Sequence, residues 1–173
     1  MELSKIVEIL GYTIPTIITG TIAYLFFLLH TNSEEKKLNL RVLNENRKSS
    51  LPIKLQAYER MSLYLERINP SKLLTRITSV NNDKEAYVIS LINTIEQEFE
   101  HNLTQQIYIS DKCWSIIITS KNATIQLIKK TSGEESITNA QELREAVLKK
   151  MLNIPPPSNT ALAFIKDEVR NFM

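Results

Sequence analysis

Apolar residues recur along this chain at spacings of three and four, the period of an α-helix. The longest apolar run is GYTIPTIITGTIAYLFFLLH, Gly11 to His30, densest from Ile14 to Leu29. Crossing a bilayer takes roughly 20 apolar residues. The gap without Lys, Arg, Asp or Glu, between Glu8 and Glu34, is 25 residues long. Residues 1–9 are expected to extend this helix, with a kink where the Pro15 ring meets the carbonyl of residue 11. The polar stretch Ser33 to Lys48 predicts a stalk helix that continues it.

Beyond the stalk, prolines mark expected helix boundaries at Pro52, Pro70 and Pro155-Pro156-Pro157. Pro52 to Ile68 predicts an amphipathic helix with Leu51, Leu55, Tyr58, Met61, Leu65 and Ile68 as its apolar stripe. Asn69-Pro70 opens a short helix through Leu73 and Leu74. Asn82 with Glu85 reads as a capping box for a helix that buries Ile89, Ile92, Phe99 and Leu103. Ser110-Asp111 opens another, with Trp114, Ile117, Ile118, Ile125 and Ile128 in register. Its SIIITS segment, 115–120, has the β-branched content of a strand at 116–119, but the stripe persists for four turns and favours helix. Thr138 with Gln141 opens a helix through Leu143, Val147 and Leu148. Ser158 is expected to cap the last one, with Leu162, Ile165, Val169 and Phe172 inside. The expectation is an all-α chain: an N-terminal segment and transmembrane helix (1–30), a polar juxtamembrane stalk (31–50), and a cytoplasmic domain of about five helices (51–173).

Two other readings of the apolar run are weaker. A cleavable signal peptide has a basic start, a shorter apolar stretch and a small-residue cleavage site. Here the start is MELSKIVE, and the one small-x-small candidate, Thr21-Ile-Ala23, is followed by YLFFLL. A soluble core helix would show a polar face, and this run offers only Thr and Tyr. Basic residues set the expected direction. Lys5 lies before the run, and Lys36, Lys37, Arg41, Arg47 and Lys48 lie after it. Positive flanks stay in the cytoplasm, so the N-terminus is expected outside the cytoplasmic (inner) membrane of a bacterium and the rest inside.

Charge and composition narrow the chemistry. From Leu51 to Met173 there are 15 Lys and Arg against 14 Asp and Glu, a balance unlike that of a nucleic-acid-binding face. Gly133 is the only glycine after Gly20, so no glycine-rich phosphate loop exists. Cys113, the single cysteine, suits a reducing compartment.

Several side-chain groups are candidates for function. Thr13, Thr16, Gly20 and Ala23 form a small-residue edge on the apolar helix, where another membrane helix or a second copy could approach. Glu59-Arg60 and Glu66-Arg67 recur two turns apart and form a charged strip, either for a partner or for pairing within the bundle. Lys36, Lys37 and Arg41 could contact anionic lipid head groups. Glu98 and His101 have the Glu-x-x-His spacing of di-iron bundles, but the only other histidine is His30, so no metal site is expected. Cys113 and His101 are the one pair that could make a thiol nucleophile, although a lone Cys in a first helical turn is more often a small core residue.

The strings LPIKLQAYERMSLYLERINPSKLLTR and TIEQEFEHNLTQQIYIS, with Trp114 and SKNATIQLI, resemble an uncharacterised family of small single-pass membrane proteins from the Bacteroidota. The resemblance covers nearly the whole chain. It implies the same architecture and brings no activity, cofactor or site residue. The function expected is that of a membrane-tethered interaction module: an accessory subunit, scaffold or assembly factor of a membrane complex. An enzyme using carboxylate or Cys/His chemistry, and a module that senses anionic lipid, are the alternatives.

Overall fold

A computed structural model describes residues 2–79 and 81–172, except for the side chains at 2–4, 6–10, 12, 32, 33, 35, 36, 39, 44, 46, 47 and 172. The order is α1 (Glu2–Arg67), α2 (Pro70–Arg76), α3 (Lys84–Glu100), a 3₁₀ turn (Leu103–Ile107), α4 (Asp111–Ser132), α5 (Ala140–Asn153) and α6 (Ser158–Phe172). No strand occurs among the described residues, and 116–119 are helical. The chain divides into two compact units, Met1–Ser50 and Leu51–Met173.

The first unit is helix alone. Its stretch Thr13–Thr31 is long and apolar enough to cross a membrane, and none of it is buried. At 1.5 Å per residue it measures about 28 Å, close to the hydrocarbon thickness of a bilayer. Its hydroxyls turn back onto the helix: Thr19, Thr21 and Thr31 each donate to the carbonyl four residues earlier at 2.8 Å. Such bonds leave fewer polar groups to satisfy in an apolar surrounding. Pro15 lies within α1 without ending it.

Pro52 does not start a helix as expected; it lies inside α1. A proline forfeits one backbone bond, and helical residues on both sides carry the helix through that loss.

The second unit holds one core. Tyr58, Met61, Leu65 and Ile68 are buried as the stripe requires, together with Ala57 and Tyr64. In α2, Asn69 accepts from the Ser71 amide at 3.1 Å. The start of α3 differs from expectation. Asp83, not Asn82, caps it, accepting from the amides of Glu85 and Ala86. Asn82 takes a left-handed conformation (φ 54°) and serves another helix. Its carbonyl accepts from the Ala140 amide at 3.1 Å, and its side-chain oxygen accepts from the Gln141 amide at 3.0 Å. The α3–α5 pairing is thus fixed partly by one asparagine.

The buried face of α3 is Tyr87, Leu91, Ile95 and Phe99. Ile89 is exposed, against expectation, because it is two residues away from both Tyr87 and Leu91 and so points off that face. Leu103 lies in the 3₁₀ turn and is also exposed. On α4, Ser110 accepts from the Cys113 amide, and Ile117, Ile125 and Ile128 are buried. Helix α4 packs against α3, α5 and α6, while α5 also meets α2 and α3.

At α5 the cap falls one residue later than expected. Asn139 accepts from the Glu142 amide, and Glu142 accepts from the Thr138 amide and hydroxyl at 2.7 and 2.9 Å. Those two bonds hold the Glu142 carboxyl below its ordinary value. Ser158 is the first residue of α6 rather than its cap; it is fully buried, and its hydroxyl has no hydrogen-bond partner among the described residues. Ala161 and Ile165 carry the buried face of α6, with Leu162 and Val169 packed at its edge. The expected burial of Phe172 lies outside the described residues.

Candidate functional site

The charged strip is the sequence feature that reaches a cavity. Glu59, Arg60, Glu66 and Arg67 all line a cleft of about 690 Å³ within the second unit. Glu98, His101 and Asn102 line it from the end of α3 and the residues just after it. Gln56, Ser62, Leu63 and Tyr64 complete the α1 side.

Behind Tyr64, aromatic rings from three helices pack on one another. Tyr64 packs on Phe99 with centroids 5.7 Å apart, and Phe99 stacks on Trp114 at 5.2 Å. Lys121 lies over the Phe99 ring at 4.6 Å and pairs with Glu96 at 2.6 Å. Ring contacts of this kind add to the area they bury and fix the rings relative to one another. They place α1 and α3 so that their charged residues meet.

Two guanidiniums converge on one carboxylate. Arg67 reaches Oε1 of Glu98 at 2.8 Å, and Arg76 reaches the same oxygen at 3.3 Å. Glu66 is held by Lys72. No ion pair or hydrogen bond engages the side chains of Glu59, Arg60 or His101 among the described residues, and all three are exposed. The strip therefore divides in two. Glu66 and Arg67 pair within the bundle, while Glu59 and Arg60 are left facing the cleft.

Tyr64 is 1% exposed, and its hydroxyl has no hydrogen-bond partner among the described residues. Burial, then the charges of Glu96 and Glu98, push its pKa above the ordinary phenol value. It therefore stays a neutral donor across the physiological range.

The other candidates are not brought together. Cys113 is buried, and burial, then Glu168, push its thiol up to about 12. Tyr58 is pushed up to about 12 by burial and by the same Glu168. A protonated thiol in the core is no nucleophile, and His101 lies in the cleft. No group of three His, Cys, Asp or Glu residues among the described ones could hold a metal ion. Thr13, Thr16, Gly20 and Ala23 are all exposed on α1. Of the basic stalk residues, Lys37 pairs with Glu34 at 2.9 Å, Arg41 is exposed, and the Lys36 side chain lies outside the described residues.

The sequence reading missed Tyr64, which falls on the same helix as the apolar stripe but outside its chosen register. It also missed Arg76 as the second partner of Glu98. Glu98 and His101 drew notice for a metal spacing; their place in the cleft comes from α3 ending where α1 passes.

The model of a family of unknown function, DUF7935, matches residues 4–172. The chain belongs to that family. The match takes in both compact units, the apolar stretch and every residue of the cleft. No curated protein and no solved structure matches the chain.

Proposed function

We propose that this member of the DUF7935 family is a membrane-tethered interaction module, an accessory subunit, scaffold or assembly factor of a membrane complex. The observation that carries the reading is Thr13–Thr31: apolar, long enough to span, and not buried anywhere along its length. A 19-residue stretch that leaves its Ile, Leu and Phe side chains exposed would cost far too much in water to persist uncovered. A bilayer covers them and leaves the second unit free to dock.

The basic residues after the span, against Lys5 before it, support a second unit on the cytoplasmic face of a bacterial inner membrane. The second unit supports docking in its own way. Its buried apolar residues form one core, and the cleft of about 690 Å³ presents polar and charged groups. The partner is another membrane or cytoplasmic protein, or a second copy of this chain.

Two measurements on the intact protein test this. It should stay in the membrane pellet through alkaline carbonate extraction. Purified in mild detergent, it should retain a stoichiometric partner or self-associate. Extraction into the soluble fraction, or a monomer with no partner, overturns the reading.

A further inference from the structure

We propose that the polar cavity between the end of α2, the start of α3 and the first turns of α5 binds the phosphate group of a small soluble molecule, with Arg144 as its charged anchor. This goes beyond the docking reading and does not rest on it.

The cavity measures about 440 Å³ and lies within the second unit. Pockets for small molecules run from roughly 300 to 1,000 Å³. Thr78 and Ser79 line it from the segment after α2, Asn81 and Asn82 from the residues before α3, and Gln141 and Arg144 from α5. Two contacts hold these walls. The Tyr87 hydroxyl donates to the Ile77 carbonyl at 2.7 Å and ties the end of α2 to α3. Asn82 accepts from the amides of Ala140 and Gln141 and ties the start of α3 to α5. With Asn139 accepting from the Glu142 amide, the amides at this end of α5 are taken, so side chains are the donors.

The charge of the cavity is one-sided. Arg144 brings a guanidinium, and no Asp or Glu lines the walls. Arg144 is half-buried and makes no ion pair or hydrogen bond among the described residues. It stands one turn after Ala140 and Gln141, and helical side chains lean back toward the N-terminus, so it reaches over the turn that lines the cavity. Its charge is felt at the buried Tyr87 hydroxyl: burial pushes that phenol above its ordinary value, and Arg144 acts against the rise. The acids flanking the walls have other partners. Glu142 accepts from the Thr138 amide and hydroxyl, Glu145 from the Gln141 side chain, and Asp83 from the amides of Glu85 and Ala86. Glu142 and Glu145 stand two residues and one residue from Arg144, spacings at which helical side chains do not face each other. A half-buried cation without a counter-charge is costly, and an anion from outside supplies it.

The neutral donors decide which anion fits. The side chains of Thr78, Ser79 and Asn81 make no hydrogen bond among the described residues, and they stand on walls other than that of Arg144. A tetrahedral phosphate offers oxygens in several directions, whereas a carboxylate offers two in one plane. Phosphate carries about −1.5 to −2 at neutral pH, and no lining carboxylate opposes it. The walls hold no Leu, Ile, Val, Met or Phe, so an acyl chain would find no cover. Hydroxyls and carboxamides suit a polyhydroxyl body instead, which favours a soluble molecule over a lipid.

The probe is ribose 5-phosphate, titrated by calorimetry into the full-length protein in neutral-detergent micelles. Ribose, inorganic phosphate and acetate serve as comparisons at matched ionic strength. Ribose 5-phosphate should bind saturably; inorganic phosphate should compete with it, and ribose and acetate should not. Arg144→Ala should weaken binding about tenfold or more, the loss of a charge-assisted contact, and Arg144→Lys should restore part of that. Ser79→Ala should weaken it by a smaller factor. Arg144→Ala breaks no described bond, so the thermal midpoint without ligand should stay where it is. Lys149→Ala, which removes an exposed cation on α5 outside the cavity, should change nothing. No saturable binding of ribose 5-phosphate, binding indifferent to Arg144→Ala, an equal loss from Lys149→Ala, or competition by acetate as strong as by phosphate would each overturn the assignment. The docking reading has its own membrane and partner tests, and none of these results bears on it.

Discussion

Asn82 joins two helices through one residue, and replacing it separates backbone strain from capping. Its φ of 54° suits Gly and Asn, and an alanine there meets its own carbonyl at a cost of roughly 1–2 kcal/mol. Alanine also loses the side-chain oxygen that accepts from Gln141 at 3.0 Å, a capping bond of roughly 1 kcal/mol. The backbone bond from Ala140 to the Asn82 carbonyl survives either way. Asn82→Ala should therefore destabilise the second unit by about 2–3 kcal/mol. Asn82→Gly, which keeps the conformation and loses only the cap, should cost about 1 kcal/mol. At roughly 3–4 °C per kcal/mol for a unit of this size, the two variants should melt several degrees apart. Trp114, the only tryptophan, stacks on Phe99 in the second unit, so its fluorescence follows that unit and ignores the apolar helix. Equal midpoints for the alanine and glycine variants would refute the strain argument. An unchanged midpoint in both would refute the cap.

Leu91→Ala, a fully buried truncation on α3, should cost roughly 2–5 kcal/mol in chemical denaturation followed by Trp114 emission. Cys113 should resist a thiol reagent at pH 8 in the folded protein and react in denaturant. Because its pKa rises from 9.0 to about 12 on folding, the native state holds its proton where the unfolded state has lost it. Its contribution to stability is complete below pH 9.0 and is lost as pH climbs toward about 12, so Cys113→Ala should flatten that decline. Glu142 behaves in the opposite sense. Its carboxyl is held below the ordinary 4.5, so its contribution is present above that pH and fades as pH falls through the lower native value; Glu142→Gln should be less sensitive to acid. Ser50→Cys, just after the basic stalk, should be labelled by a membrane-impermeant maleimide only once the cells are broken.

The helical pattern was legible because it repeats. The caps Asn69 and Ser110 were readable too, since each precedes its stripe directly. The errors fall where several residues could serve. Asn81, Asn82 and Asp83 are all cap formers, and only the long-range bond to α5 decides which one is spent elsewhere. Thr138 and Asn139 compete in the same way. Pro52 marked a boundary by its chemistry alone, yet the helix passes through it. Ile89 was misplaced because β-branched side chains attract a core assignment wherever the period is loose. At the cleft, the repeat of Glu-Arg two turns apart made the strip visible. Its convergence with Glu98 and His101 depends on how α1 meets α3, and no local pattern encodes that crossing.

The central proposal is that this membrane-held protein docks a partner. A photo-reactive phenylalanine analogue at Leu63, exposed at the cleft, tests it in intact cells. Illumination should give one discrete crosslinked species in the membrane fraction. Arg60→Glu in the same chain should abolish it, and the analogue at Ile89, exposed elsewhere on α3, should not produce it. No adduct at Leu63, or one that persists with Arg60→Glu, would contradict the account.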